Sequence, residues 1–474
     1  MRTVCKQNSC TGCMACVGKC KKEAISIQDS FSAYNAVIDQ EKCVSCGACE
    51  RVCPNNHKVN LNEPIYWKEG WASDDVRMKA SSGGAASAMM ECFVDDGGYV
   101  AACLFRNGEF IFDITNKKDE LVRFAGSKYV KSNPVGIYDK VIEKLKNRKK
   151  VLFIGLPCQV AAIKNYTKTI PTNISENLYT VDLICHGSPS PKILTLALHE
   201  KGVDIKQLRE IRFRNKTNFG LSSQNGNDEY KTITPNGVQD MYTYAFLTSL
   251  DYTENCYSCQ YATLGRVSDV TIGDSWGSNQ PDSEQGKGIS LIMCQTNKGM
   301  TLIEKSGLQL EEVDVEKALE ANHQLRHPSI APETREIFFK DLDKGFYKAI
   351  SKCAPKVYYK QKLKENLTIL NRLERESGCH VLLAQKAFSM FSLYPLIGQY
   401  ISGTTASGLY EARLGYEEMG KENHVYAPAY RDADMKELVT LCDHIVFNSF
   451  AQYEKHKDTI KNYCSTHDKK ISVG

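Results

Sequence analysis

The sequence predicts three structural classes in series: a small α+β module over residues 1–62, an α/β domain with a mixed sheet over 63–356, and a partial β/α barrel over 357–474. Three observations lead there. A cysteine run near the N-terminus recurs after 33 residues. Apolar runs then alternate with helical periodicity as far as residue 355, and a second alternation follows.

In the first module, Cys10, Cys13, Cys16 and Cys20 are repeated as Cys43, Cys46, Cys49 and Cys53, with Pro54 following. A doubled Cys-x2-Cys-x2-Cys-x3-Cys run is the signature of a two-cluster bacterial ferredoxin. Three thiolates two residues apart wrap one 4Fe-4S cube, while the fourth points to the other cube. Cys10, Cys13, Cys16 and Cys53 are therefore expected to hold one cluster, and Cys43, Cys46, Cys49 and Cys20 the second. Structural zinc usually takes two separated pairs, which eight evenly grouped cysteines overfill, and disulfides fit no better. Lys21 stands where the first run would often carry proline, and Cys5 lies outside the pattern as a spare thiol.

The bulk composition suits soluble globular domains: 474 residues, 42% hydrophobic and 24% charged. Twenty cysteines without a hydrophobic signal segment point to a reducing cytoplasm. No stretch reaches the roughly 18 apolar residues of a membrane span. A net charge of +4 with dispersed basic residues gives no sign of nucleic-acid binding. The basic run from Lys146 to Lys150 closes a helical pattern of Ile137, Val141 and Leu145, and reads as a solvated helix end.

In the middle region, residues 151–155 read as a buried strand running through Leu156 and Pro157 into a helix. Residues 179–184 form a second strand, followed by Cys185, His186 and Gly187 and a helix from Ile193 to His199. Asn107-Gly108 suggests a hairpin. Pro157 at a first helical position puts Cys158 in the first turn, where the helix dipole favours a thiolate. Cys158, Cys185, Cys256 and Cys259 could close one further 4Fe-4S site, although isolated cysteines are often simply buried hydrophobes. Ser82, Gly83 and Gly84 precede a helix whose backbone N–H groups could approach a phosphate, or form only a turn. Residues 269–277 read as a strand ending in a polar turn. His186 reads as a structural histidine or a proton donor.

Ser82-Gly83-Gly84, residues 126–130 (Gly-Ser-Lys-Tyr-Val), 155–159 (Gly-Leu-Pro-Cys-Gln), Cys185-His186-Gly187, Cys256 with Cys259, and 268–274 stand in the order of a known family. Residues 1 to about 355 thus resemble the coenzyme F-420 hydrogenase/dehydrogenase beta-subunit family, with a ferredoxin module fused in front. The resemblance implies a flavoprotein binding FAD, with an iron-sulfur centre near it held by Cys158, Cys185, Cys256 and Cys259. It implies that Ser82, Gly83 and Gly84 border the flavin pyrophosphate or ribityl chain. Lys128 and Tyr129 are expected near the isoalloxazine or the incoming substrate. Flavin exchanges two electrons and each cluster one, so the protein is expected to convert between them. The partners implied are a redox protein, a deazaflavin or ferredoxin donor, and a small-molecule acceptor. The alternative is an electron-relay component of a larger complex without its own substrate.

From about residue 365, residues 378–389, 403–415, 426–430 and 443–449 resemble the N-terminal part of carboxynorspermidine decarboxylase, a pyridoxal phosphate (PLP) enzyme with an alanine-racemase-like barrel. The resemblance places Lys386 at the Schiff-base position. Five strands are expected, around 381–386, 403–407, 424–428, 444–448 and 470–473, whereas such a barrel closes with eight. Autonomous decarboxylation is therefore not expected, and the segment reads as a truncated fusion or a misjoined reading frame.

Overall fold

The repeated cysteine run folds twice into the same motif. Helices α1 (Ala15–Lys19) and α2 (Ala48–Val52) each begin after a left-handed residue, Met14 at φ 55° and Gly47 at φ 66°, and each ends on a cysteine, Cys20 and Cys53. Between them an antiparallel hairpin pairs β1 (Ile25–Asp29) with β2 (Tyr34–Ile38). The structure is a computed structural model describing residues 2–224, 229–235 and 238–474. It divides into two units, 1–355 and 356–474.

The first unit is built around an eight-stranded mixed sheet ordered β13-β3-β12-β11-β7-β6-β4-β5. Its chain order is β3 (Tyr66–Trp71), α3 (Asp74–Lys79), α4 (Ala85–Asp95), β4 (Tyr99–Arg106), β5 (Glu109–Thr115), α5 (Ile137–Lys146), β6 (Val151–Gly155), α6 (Pro157–Thr167), α7 (Thr172–Ser175), β7 (Leu178–Leu183) and α8 (Pro191–His199). A small antiparallel sheet of β8 (Glu210–Asn215), β9 (Asn218–Gln224) and β10 (Lys231–Thr232) comes next, followed by α9 (Met241–Leu247). The chain then re-enters the main sheet through β11 (Val270–Asp274), α10 (Asp282–Gln285), β12 (Ser290–Cys294), α11 (Asn297–Lys305) and β13 (Gln309–Glu311). Helices α12 (Val315–Ala321), α13 (Arg335–Asp341) and α14 (Phe346–Cys353) complete the unit.

Strands β4, β6, β7 and β11 are parallel to one another, and the outer pairings are antiparallel. The β4–β5 hairpin turns at Asn107 (φ 52°) and Gly108 (φ 83°), the two positive angles a tight hairpin turn of this kind requires.

One face of the sheet buries α4 and α11 through Met89, Phe93, Leu302 and Ile303. The other buries α5 and α6, and Cys13, Ala15 and Val52 of the cysteine module join that same core. Tyr138 Oη donates to Cys13 O at 2.7 Å and Asn165 Nδ2 to His57 O at 2.6 Å. The first 60 residues are thus fastened to the α5–α6 layer by apolar packing and by hydrogen bonds at sites that exclude water, where an unmade bond would be costly.

The second unit starts with α15 (Pro355–Ser377) and holds five parallel strands in sequential order: β14 (Leu382–Ala384), β15 (Gly403–Ala406), β16 (Glu422–Tyr426), β17 (His444–Val446) and β18 (Ser472–Val473). Between them lie α16 (Tyr394–Ile397), α17 (Leu409–Glu418), α18 (Asp432–Leu441) and α19 (Phe450–His467). Ala412, Val425, Met435, Leu438 and Ile445 form its core. All five expected strands are present, most of them shorter than the apolar runs that suggested them, because their ends turn into loops after two to five residues. Among the described residues, no helix is long and apolar enough to cross a membrane.

Candidate functional site

The parallel strands β6, β7 and β11 end at a common edge, and the turns beyond them carry Leu156–Cys158, Ile184–Gly187 and Asp274–Trp276. Two neighbouring cavities open there. The carboxyl ends of parallel strands are where α/β sheets generally place their ligands.

The smaller cavity is lined by all four cysteines singled out in the middle region: Cys158 from the first turn of α6, Cys185 after β7, and Cys256 and Cys259 from the turn beyond α9. The dipole-favoured thiolate expected at Cys158 is not what the free chain carries. Burial pushes its thiol well above the ordinary range, and pushes Cys185 up to about 12 and Cys259 upward as well. Desolvation outweighs the helix end here, because the charged form has lost its water and faces other sulfurs. Deprotonation would accompany metal binding.

The first ferredoxin-type set behaves similarly. Cys10, Cys13, Cys16 and Cys53 line one small cavity, and burial pushes Cys13 up to about 11. Cys5 lies in the same cavity rather than apart from it, in hydrogen-bond reach of Cys10 and Cys53, with Asn55 Nδ2 donating to its Sγ at 3.7 Å. Of the second set, Cys20, Cys43 and Cys49 are half-buried against the module's core and Cys46 is exposed. Backbone N–H groups of Ala24 and Ser45 donate to Cys20 Sγ and Cys43 Sγ, each at 3.4 Å. Such bonds stabilise sulfur bearing negative charge.

The three sets form a series. Cys16 is raised first by burial and then by its neighbours Cys13, Cys53 and Cys49, so the first two sets adjoin. Cys13 in turn acts on Cys158, and Cys158 and Cys259 pack against the core that contains Cys13. Thr11 lines both the first-set cavity and the third. Among the described residues, no three Cys, His, Asp or Glu side chains converge on a point suited to a single ion. The thiols of the first and third sets each surround a cavity, and a donor set of four sulfurs around a space fits a cube of iron and sulfide better than one zinc ion.

The larger cavity, about 420 Å³, falls in the range of small-molecule and cofactor sites, roughly 300–1,000 Å³. Leu156, Cys185, His186 and Gly187 line both cavities, so the two share a wall. Ser82 and Gly84 are in the lining, with Gly84 (φ 87°) at the N-terminus of the eleven-residue α4. Gly83, expected beside them, is not. A Cβ there would stand 2.6 Å from both Gly70 O and Ser290 N, so this glycine serves the close approach of the loop to β3 and β12.

Lys128 reaches the wall, but its buried ammonium donates to the carbonyls of Phe124, Ala125 and Gly126 at 2.7–2.9 Å. It thereby shapes the loop that Ser127 N ties to Ser81 Oγ at 2.8 Å. Tyr129 lies in the lining, stacked on Phe246 with centroids 4.3 Å apart, and receives a hydrogen bond from Arg214 Nη1 at 3.2 Å. Lys386 is exposed, two residues beyond β14 in the second unit. An exposed lysine there lacks the enclosure a Schiff-base aldehyde needs, so these residues do not fit PLP.

Sequence reasoning passed over several groups here. Arg214 is buried and forms a bidentate pair with Asp274 (2.6 and 2.9 Å), beside the adjoining rings of Phe219 and Trp276. His186 is held with its Nδ1 2.6 Å from Gln324 Nε2, and burial lowers it to about 4. Lys131, buried in the third-set cavity, follows directly on the 126–130 motif, and that adjacency was the one signal available.

Sites of this composition belong to iron-sulfur proteins. Residues 9–57 match the family described as 4Fe-4S dicluster domain, and residues 148–318 match the family of the C terminus of the coenzyme F420 hydrogenase/dehydrogenase beta chain. The chain carries both domains in that order, and the dicluster domain supports two 4Fe-4S clusters. It is 22% identical over 299 residues to a component of the F(420)H(2) dehydrogenase of Methanosarcina mazei, covering 58% of this chain and 79% of the relative. The C-terminal part is 43% identical over 100 residues to a carboxyaminopropylagmatine decarboxylase of a Synechocystis species, 21% of this chain and 26% of that protein. The chain thus spans about a quarter of the decarboxylases it matches. A chain of the F420-reducing [NiFe] hydrogenase complex from Methanosarcina barkeri aligns at 16% identity and TM-score 0.39, over 60% of this chain and 96% of that one.

Proposed function

We propose that the chain is a cytoplasmic iron-sulfur flavoprotein oxidoreductase. It would pass electrons between a ferredoxin-like or deazaflavin partner and a two-electron acceptor. The observation that carries this reading is the series of three cysteine sets, from exposed Cys46 to Cys185 in the wall of the 420 Å³ cavity. Clusters handle single electrons and FAD handles pairs, so their combination joins one-electron to two-electron partners. In functional terms 1–62 is the inlet, 63–356 the converter, and 357–474 an incomplete barrel fragment outside the electron path.

The residues present fit FAD. Gly84 opens the α4 N-terminus, whose unpaired N–H groups suit a pyrophosphate, and Ser82, its hydroxyl donated to Ile289 O at 2.9 Å, fixes the loop beside it. Met90, Ala102, Phe124, Ile154 and Phe246 supply apolar wall for a flat ring and exclude water. His186, beside Cys185, is held by Gln324 through Nδ1 and stands where the two cavities share a wall. Arg214, held by Asp274, sits against the ring of Phe219 with its charge near Tyr129.

The test is anaerobic purification of the full chain. Iron and sulfide analysis and release of flavin on denaturation are followed by parallel assays with reduced deazaflavin, nicotinamide and ferredoxin donors. We expect iron for three clusters, released FAD and reduction by one of these donors. Protein with iron but no flavin would instead be an electron-relay component, and protein without iron or sulfide would overturn both readings.

A further inference from the structure

Lys131 is an ammonium in the wrong place for an ordinary lysine. It is buried, lines the cavity of Cys158, Cys185, Cys256 and Cys259, and its Nζ donates to Thr11 O at 2.9 Å. Thr11 belongs to the loop between Cys10 and Cys13, so the charge stands between the first and third sets. The nitrogen also faces the ring of Tyr34 at 5.3 Å, and its charge acts on Cys158 and Cys185. Among the described residues, no carboxylate pairs with it.

A buried cation without a counter-charge is costly, and one carbonyl and one ring face do not offset that cost. The local backbone is nonetheless arranged to admit it. Gly12 takes φ 76°, and a Cβ there would stand 3.3 Å from Lys131 Cδ and 3.0 Å from the Tyr34 ring. The Lys131 N–H is itself fixed, donating to Pro189 O at 2.9 Å just beyond Cys185. The chain thus places a positive charge between two sets of sulfurs, each of which, on loading with iron, becomes a net anion.

We propose that Lys131, which lines the third-set cavity and not the first, is the counter-ion of the third cluster, and that it raises the reduction potential of that cluster so that electrons settle next to the large cavity. The inference rests on the third cluster of the proposed function. Reduction adds one electron, and hence one negative charge, to a cluster. A fixed cation at the rim favours the reduced form more than the oxidised one. Lys131 is a positioning residue for charge and does not touch a substrate.

The experiment is an EPR-monitored redox titration of the full chain, purified anaerobically, as wild type, Lys131→Met, Lys131→Gln and Lys131→Arg, with iron analysis of each. A Cys256→Ala variant identifies which signal belongs to the third set. We expect Lys131→Met to keep its iron and to shift the oxidised-to-reduced ratio of that signal at least tenfold towards oxidised, which is about 59 mV for a one-electron couple. Lys131→Arg should stay within about threefold of wild type, and the signal of the Cys46 set should not move. An unmoved third-set midpoint in an iron-replete Met or Gln variant overturns the proposal. If both neutral variants lose third-set iron, its retention in Lys131→Arg upholds the proposal and its loss in all three overturns it. Wild-type protein from which Cys256→Ala removes no iron would instead remove the third cluster itself, an outcome visible before any Lys131 variant is made.

Discussion

Asp182 and Arg266 form a fully buried ion pair, Oδ1 to Nη2 3.1 Å, with side-chain exposures of 0% and 1%. Asp182 precedes Cys185 by three residues on β7, and Arg266 follows Cys259 by seven. Arg266 also donates to Tyr261 O at 2.8 Å and Leu183 O at 3.0 Å, so a single guanidinium clamps the strand bearing Cys185 to the loop bearing Cys259. Arg266→Met would leave the aspartate charge buried and unpaired, at a cost of about 3–5 kcal/mol. Anaerobic denaturant titration should read that loss, and iron analysis a fall in third-set iron. Adding Asp182→Asn should recover part of the stability, and a double variant no better than the single one would count against the clamp.

Removing one sulfur of the third set is more selective. Cys256→Ala should lower iron by about a third, leave the two dicluster signals in place, and stop a one-electron donor from reducing bound flavin. Unchanged iron would show that the four thiols do not act together.

Asp251 is fully buried, with neither carboxylate oxygen hydrogen-bonded, and burial raises its carboxyl to about 8. Below about pH 4 both folded and unfolded chains hold the proton. From about 4 to about 8 only the folded chain keeps it, so this group's contribution to stability falls by up to about 1.4 kcal/mol per pH unit, then levels off. The advantage of Asp251→Asn over wild type should therefore grow from pH 5 to pH 8 in urea denaturation series. A constant difference across that window would refute it.

Gly83→Ala would push a methyl group into Gly70 O and Ser290 N. We expect a loss of about 1–3 kcal/mol and displacement of the Ser82–Gly84 loop, seen as weaker flavin retention after gel filtration. Wild-type stability and flavin content would show that β3 and β12 yield at no cost.

Borohydride treatment in the presence of PLP should trap no adduct specific to Lys386, since the lysine is exposed and reacts no better than other surface lysines. Peptide mapping that finds preferential labelling there would restore a cofactor role for the second unit.

What the sequence revealed was local. The cysteine spacing, the Asn107-Gly108 hairpin, the strand 151–155 and the helix through Ile137, Val141 and Leu145 each depend on a few adjacent residues, and each is present. The ionisation of Cys158 was misread because the helix end is local whereas its burial and the neighbouring sulfurs of Cys13, Cys185 and Cys259 come from segments distant in sequence. Arg214 was overlooked because it alternates with apolar residues on β8 and reads as a solvent-facing charge, while its partners Asp274 and Tyr129 lie 60 and 85 residues away. Gly83 and Gly84 are adjacent, yet one meets the sheet and the other the cavity, a distinction that only the packing of β3 and β12 makes.

The gradient of burial along the cysteine sets also orders how the protein would fail. Cys46 faces solvent, whereas Cys10, Cys13, Cys16 and Cys53 are buried. Dioxygen would corrode the proposed wire from its outer end. Material briefly handled in air would stay brown from its inner cubes yet be deaf to any donor too large to reach past the ruined one.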